Sequence, residues 1–585
     1  MIAAMATPSL AFAGEPKNDA SVPLRVLANQ LGAELQWDAG TATATLTEGG
    51  KSLKVRIGSR NVQIGDTTVT LSEPLALRED RTYIPLSWVE QLLGKDLNWN
   101  EAEGRLIVGN PSAFTPQGAK NGSHANYDLN LVMNEAHEFK VTAKVQVENR
   151  SADVWDHAVF YFIPNVFTEE FKNRNFVPKY NNPDGTPILD ENGKPLNDRL
   201  QYAKVNIDSL KTGGQDAAYK LTGDSLDVAL PTALKPGEKT EVDVTYTFTL
   251  PEPGNRFAKV DEEQLYKLAE WYPMLATYNE SGWNKFPYYP SSESYFTDFS
   301  DFKVSYELPE GYSFISSAEN DLPRGTNKGQ LTVNNVKEIY AQIDGSPRLK
   351  ELDRTVDGVQ IRVFGRSEED QDEALQEILD VAAKSVHFYG ENIGPYPHKQ
   401  LDIMANDGGM EYPGIVTVPA DPNQYPYDPL FFKETVAHEI AHQWFNFTVS
   451  SDSFHEGWLD EGMTELSTSL YMYGVEKVPE QEAFRYLRYN RKWMDGLMSN
   501  ISLSELKPGQ MLQAYYTQPA YEMWDLFKRN SGTTDPLQTG LHFLHDYLNA
   551  YQYQQITTPE FIRFAEAYFP TDEGFYGGWL KLGAK

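Results

Sequence analysis

The pattern His438-Glu439-Ile440-Ala441-His442, followed after eighteen residues by Glu461, constrains this 585-residue chain more than any other feature. On a helix, side chains four apart share one face, so His438 and His442 can offer two imidazoles to a single ion. Glu439 stands beside the first histidine, where a carboxylate reaches a metal-bound water without being a ligand. A hydrolytic zinc site needs three protein ligands and one open position, and Glu461 supplies the third. The lead-in from Phe431 to Ala437 has no Gly or Pro, and Gln443, Trp444 and Phe445 continue it. Val436, Ile440, Trp444 and Phe447 recur at helical spacing, which predicts a buried helix. Burying two His and a Glu is costly, and a bound metal removes that cost.

Two neighbours compete for roles. His455 lies six residues before Glu461 and is the alternative third ligand, although Asp452, Ser453 and Gly457 around it predict a loop. Glu465, one helical turn past Glu461, is placed either to orient a ligand histidine or to face solvent. The chain has no Cys, which excludes thiolate zinc sites, iron–sulfur clusters and cysteine nucleophiles.

Taken with Trp458-Leu459-Asp460-Glu461-Gly462, the metal pattern resembles the gluzincin aminopeptidases, the family of alanyl aminopeptidase, aminopeptidase N and the leukotriene-hydrolysing aminopeptidase. A second family motif lies upstream as Gly408-Gly409-Met410-Glu411-Tyr412-Pro413-Gly414, with Tyr412 where the family usually has Asn. The resemblance implies that Glu411 holds the substrate's free α-amino group and that Gly408, Gly409 and Met410 line the substrate. A third element, Pro519-Ala520-Tyr521-Glu522, resembles the segment whose Tyr donates to the tetrahedral intermediate, which implies that role for Tyr521. Tyr516 is the alternative, since the chain holds 33 Tyr. The residues after Glu522 are Met523 and Trp524 in place of the family's Lys-Gly. Trp271-Tyr272-Pro273 through Phe299 resembles the end of the family's N-terminal β-domain; its amine-anchoring Gln or Glu has no clear match, and Glu293 is the candidate substitute.

An N-terminal repeat organises residues 22–110. Pro23-Leu24, Leu31-Gly32, Leu35 and Trp37 recur 62 residues later as Pro85-Leu86, Leu93-Gly94, Leu97 and Trp99. Each copy predicts a short helix, a Gly stop and an alternating strand. The repeat resembles the stalk-type domain named from the N-terminus of copper amine oxidases and found in secreted Gram-positive proteins. It offers no ligand cluster, so a spacer or surface-binding role is expected and the copper association is not carried over.

The fold class expected is multidomain α+β: this small α+β stalk domain, a β-rich domain over 127–349 and a mainly helical zinc domain over 356–585. The family resemblance makes the second saddle-like and the third thermolysin-like. Residues 109–126 read as a linker rich in Gly, Pro, Ser and Asn. Alternating runs such as Phe139–Val147 predict the strands, and Ser367 to Asp370 predicts a helix start carrying Leu375, Ile378, Leu379, Ala382 and Val386 inward. The strand Leu401–Met404 leads to the Gly408 motif, where an edge strand can pair with an extended substrate.

The formal charge of −32 argues against nucleic acid or anionic membrane as partners. Asp190 to Gly193 reads as a turn rather than a calcium loop. Residues 1–13 end in an A-x-A pattern and read as a truncated signal-peptide remnant, and no other stretch is long enough for a membrane span. A secreted or cell-surface protein of a Gram-positive bacterium is expected, with attachment through the stalk domain. The expected activity is hydrolysis of N-terminal residues from peptides with a free N-terminus, using one zinc ion per chain, with Glu439 as general base. A zinc endopeptidase with the same centre and a non-catalytic surface protein with a vestigial peptidase fold are the rival readings.

Overall fold

The computed structural model describes residues 20–582, apart from short internal stretches of which 421–428 and 485–495 are the longest. Residues 1–13, the start of the expected linker at 109–113, the repeat glycines Gly32 and Gly94, Asp190 to Asn192 and the Ser367 to Asp370 helix start lie outside the described residues. Two compact units divide the chain: one of residues 119–390 and 395–455, the other of 1–118, 391–394 and 456–585. The span 356–585, expected as one domain, is shared between them.

In the first unit, β-structure dominates because its segments alternate. Ser123–Met133 and Phe139–Asn149 pair antiparallel with Tyr127 opposite Val145, and each buries every second residue. They lie in the middle of a seven-stranded sheet that also takes Lys239–Phe248 on one side and Ser300–Glu307 on the other. The first strand begins at Ser123, inside the stretch expected as linker. Two four-stranded sheets join it through a common core containing Leu129, Val141, Phe160, Tyr246, Trp271 and Ile343.

A five-stranded sheet carries the chemistry-bearing segments of this unit. Its order is Leu349–Val356, Val359–Arg366, Gln400–Ala405, Ile415–Val418 and Met410–Tyr412. The helical pattern expected after Val356 therefore starts later, at Asp372, because Val359–Arg366 is still a strand. The Asp372–Asn392 helix connects two parallel strands and buries Leu375, Ile378, Leu379, Ala382 and Val386. The strand through Leu401–Met404 is central, not an edge; the edge is Met410–Tyr412, paired antiparallel with Ile415–Val418.

In the second unit the repeat is visible in three dimensions. Leu24–Leu31 leads to a hairpin of Glu34–Asp38 with Thr43–Glu48, and Leu86–Leu93 to a hairpin of Leu97–Asn100 with Arg105–Val108. The strands before the two helices pair with each other, Val22 opposite Ile84. Gln30 of the first helix accepts from the Leu106 amide of the second hairpin at 2.7 Å. The remainder of the unit is helical, centred on Phe527, Phe543, Tyr547, Phe561 and Phe564.

The repeat domain is docked, not free. Its Leu24–Leu31 helix packs on the Gln518–Asn530 helix, and its last hairpin strand packs on Thr558–Tyr568. Residues that follow it fasten the same helix: the Gln117 amide donates to Glu560 at 2.8 Å, and Arg563 donates to the Thr115 carbonyl at 2.6 Å while lying over the Phe114 ring. A detached spacer would have neither feature.

Candidate metal centre

The Pro429–Ala441 helix places His438 and Glu439 one turn from its end, and His442 follows in the turn just beyond. The helix stops at Ala441, so Gln443 and Trp444 continue it only as turns and Phe445 forms a bridge to Val449. His438, Glu439 and His442 are all buried. The imidazoles of His438 and His442 stand edge to face with centroids 4.9 Å apart, and a nitrogen of each lies within 4.8 Å of the other. His442 Nδ1 is 3.2 Å from the Phe445 carbonyl, which can only accept, so Nδ1 carries a proton and in the neutral imidazole Nε2 holds the lone pair.

The Gly408 to Gly414 motif lies against this helix. Glu411 is buried on the edge strand, and its carboxylate, that of Glu439 and a nitrogen of His442 offer atoms within 4.8 Å of one another. Glu411 Oε1 is 4.0 Å from His442 Nε2. The approach depends on Gly409: a Cβ there would overlap Glu439 Oε1 and sit 3.1 Å from Thr435 Cγ2. Met410 is half-buried, and the Gly408 carbonyl accepts from Thr417 Oγ1 at 2.9 Å.

Gln443, which sequence reasoning treated only as helix continuation, pins the two motifs together. Its Nε2 donates to the Tyr412 carbonyl at 2.9 Å and its Oε1 accepts from the Gly414 amide at 2.9 Å. Tyr412, the departure from the family pattern, is fully buried and stacks on Tyr340 with centroids 4.2 Å apart.

Beside Glu411 lies a buried cluster of charge, of which the sequence singled out only Glu293, the candidate amine anchor. A carboxylate oxygen of Glu293 is within 4.8 Å of one of Glu411, and Glu293 pairs with Arg256 Nη1 at 2.7 Å. Glu270 stands 3.7 Å from the same nitrogen, and Tyr295 donates to Glu338 at 2.8 Å. Burial pushes the Glu270 carboxyl up to about 7, with Arg256 opposing the rise and Glu293 adding to it. Glu338 is raised by burial first and then by the charge of Glu270. Burial works against the Arg256 charge, and Glu293, Tyr412 and Glu270 outweigh it.

His455, the alternative ligand, is half exposed at 46%, pairs with Asp452 at 2.9 Å and stands edge-on to Phe286. It sits not in a loop but in the short helix Ser453–Gly457, whose Glu456 departs from helical geometry.

In the second unit, Glu461 is buried within a π-helical turn, Trp458–Gly462, that runs into the Met463–Gly474 helix bearing the buried Glu465. Another π turn, Leu512–Thr517, packs on it, and Tyr516 donates to Glu461 Oε1 at 2.5 Å. Gly462 permits this approach, since a Cβ would lie 2.7 Å from Pro519 Cβ and 2.8 Å from the Tyr515 carbonyl. Trp458 anchors the turn by donating to Thr558 at 2.8 Å. Tyr521 is half-buried on the Gln518–Asn530 helix, the one against which the repeat domain packs.

Known proteins resemble this chain in the same parts. Residues 377–572 match the peptidase family M1 domain, and residues 12–108 match the copper amine oxidase N-terminal domain. Aminopeptidase B of Mus musculus is 25% identical over 281 residues, 45% of this chain and 41% of that protein. Aminopeptidase N of Oryctolagus cuniculus is 34% identical over 117 residues, 18% of this chain and 12% of that protein. The chain thus spans less than half the length of either aminopeptidase. A crystal structure of an M1 zinc metallopeptidase from Deinococcus radiodurans aligns with a TM-score of 0.51 at 16% identity, over 80% of this chain and 97% of that one. A mutant two-domain M1 zinc metallopeptidase bound to L-arginine gives 0.53 at 15% identity, over 80% and 96%. At such identities the likeness is one of fold.

Proposed function

Since residues 377–572 match the peptidase family M1 domain, we propose that the chain is a zinc-dependent aminopeptidase that removes N-terminal residues from peptides. His438, His442 and Glu461 are the proposed ligands of one zinc ion per chain. Two neutral imidazoles and a carboxylate make the donor set of a hydrolytic zinc site, and the proton on His442 Nδ1 leaves Nε2 available. When bound, zinc polarises the attacking water and the scissile carbonyl.

The protein's own groups do the rest. Glu439 takes the proton from the water and returns it to the leaving amine. Tyr521 donates to the developing oxyanion, and Gly408, Gly409 and Met410 line the substrate. Glu411 holds the substrate ammonium, so cleavage follows the first residue. The observation that carries the choice of an aminopeptidase is the position of Glu411: a buried carboxylate 4.0 Å from the lone-pair nitrogen of His442 suits a cation next to the reacting bond.

A free amino-terminal p-nitroanilide compared with its acetylated form tests the reading. The free substrate is expected to be hydrolysed, the acetylated one refused, and a chelator to stop the reaction; equal rates on both would make the protein an endopeptidase. Zinc content with no turnover of any peptide would instead favour a non-catalytic protein. We also propose a secreted or surface location in a Gram-positive bacterium, with attachment through the copper amine oxidase-type domain; fractionation of the producing cell tests it.

A further inference from the structure

The turn that follows the metal-binding helix contains a backbone conformation its residue does not favour. Asn446 has φ 128°, in the region that suits glycine, and its side chain is buried. A non-glycine residue persists there only when its surroundings over-determine it. Two contacts do so. The Asn446 amide donates to the Val449 carbonyl at 2.9 Å, and the buried Lys337 ammonium donates to Asn446 Oδ1 at 2.6 Å.

This turn also holds His442. Its residue Phe445 supplies the carbonyl that accepts from His442 Nδ1 at 3.2 Å, and the Phe447 amide donates back to the His442 carbonyl at 3.1 Å. Lys337 lies at the end of the Lys328–Val336 strand, remote in sequence from the turn it reaches. Its ammonium also faces the Phe296 ring, 5.9 Å from the centroid.

We propose that Lys337 is a positioning residue for the metal centre: by clamping Asn446 at its strained φ, it fixes the Phe445 carbonyl that orients His442. The proposal rests on the zinc reading above and goes beyond it by assigning a lysine that touches neither metal nor substrate. Groups that orient a ligating histidine typically change metal affinity by about 10–100-fold when lost.

The test measures zinc affinity by competition with a chelator, without reference to turnover. Lys337→Met is expected to weaken binding about tenfold or more, since the turn loses the group that holds it. Adding Asn446→Gly to that variant is expected to restore affinity, because glycine takes φ 128° unaided. Among single variants, Asn446→Ala is expected to weaken zinc binding while Asn446→Gly keeps it, and this pair decides the matter if Lys337→Met does not fold. Unchanged affinity in Lys337→Met, failure of Asn446→Gly to rescue it, or equal affinity of the two Asn446 variants overturns the clamp. If the parent protein takes up no zinc at all, the zinc reading falls and the clamp with it; loss of the clamp alone leaves the parent's zinc in place.

Discussion

Gly409 is the position where the smallest substitution should do the most harm. A methyl group there would overlap the Glu439 carboxylate, and Thr435 leaves no room behind it. Gly409→Ala is therefore expected to push Glu439, the proposed general base, away from its place, lowering kcat about a hundredfold or more while zinc stays bound. Retained kcat would show that Glu439 tolerates the shift. Glu439→Gln should abolish turnover with zinc content unchanged, and a variant that still hydrolyses peptide would remove Glu439 from the role of base. At this scale the sequence was readable where the chemistry is local. His438, Glu439 and His442 announce themselves by their spacing along one helix and the turn that follows it, and Glu411 by its motif. Arg256, Glu270 and Glu338 do not, because they come from separate connections flanking the strands and meet only after the sheets have formed. Gln443 was missed for a different reason: a polar residue at a helix end has no distinctive pattern, and its value lies in the two backbone groups it joins.

Among the elements, the two π turns distinguish Glu461 from a residue on an ordinary helix. Each inserts a residue into the helical repeat, and such single turns recur at functional sites. Here Trp458–Gly462 carries Glu461, and Leu512–Thr517 carries the Tyr516 that donates to it. The two tyrosines should separate by readout. Tyr516→Phe removes a hydrogen bond to a carboxylate, worth about 1.5–3 kcal/mol, and is expected to speed zinc loss to a chelator. Tyr521→Phe is expected to leave zinc affinity intact and lower kcat by about 10²–10³, the usual effect of losing an oxyanion donor. The opposite assignment of the two effects would exchange their roles. No residue type encodes a π turn, so placing Glu465 one helical turn past Glu461 assumed regular helical spacing there. The edge strand was displaced similarly: an apolar run marks Leu401–Met404 as a strand, but its place in the sheet depends on Met410–Tyr412 folding back beyond it.

For the whole molecule, the buried acids near Glu411 should be felt as a dependence of stability on pH. Burial raises the Glu270 carboxyl from 4.5 to about 7, so the folded chain binds a proton there that the unfolded chain has released. That contribution is complete below about pH 4.5 and is lost as pH rises to about 7. Glu270→Gln is expected to flatten this part of the profile of Tm against pH; an unchanged slope would place the dependence elsewhere. The change from strand-rich to helical segments along the chain was legible from composition and periodicity, whereas the docking of the repeat domain was not, because surfaces that meet at long sequence separation share no pattern. Removing residues 1–110 is expected to increase hydrogen exchange along Gln518–Asn530, and undisturbed protection there would make the contact incidental. If protection does fall, the copper amine oxidase-type domain and the helix bearing Tyr521 cannot drift independently in evolution. A change on Leu24–Leu31 would select for an answering change on Gln518–Asn530, and the domain could not be gained, lost or exchanged between lineages as a cassette.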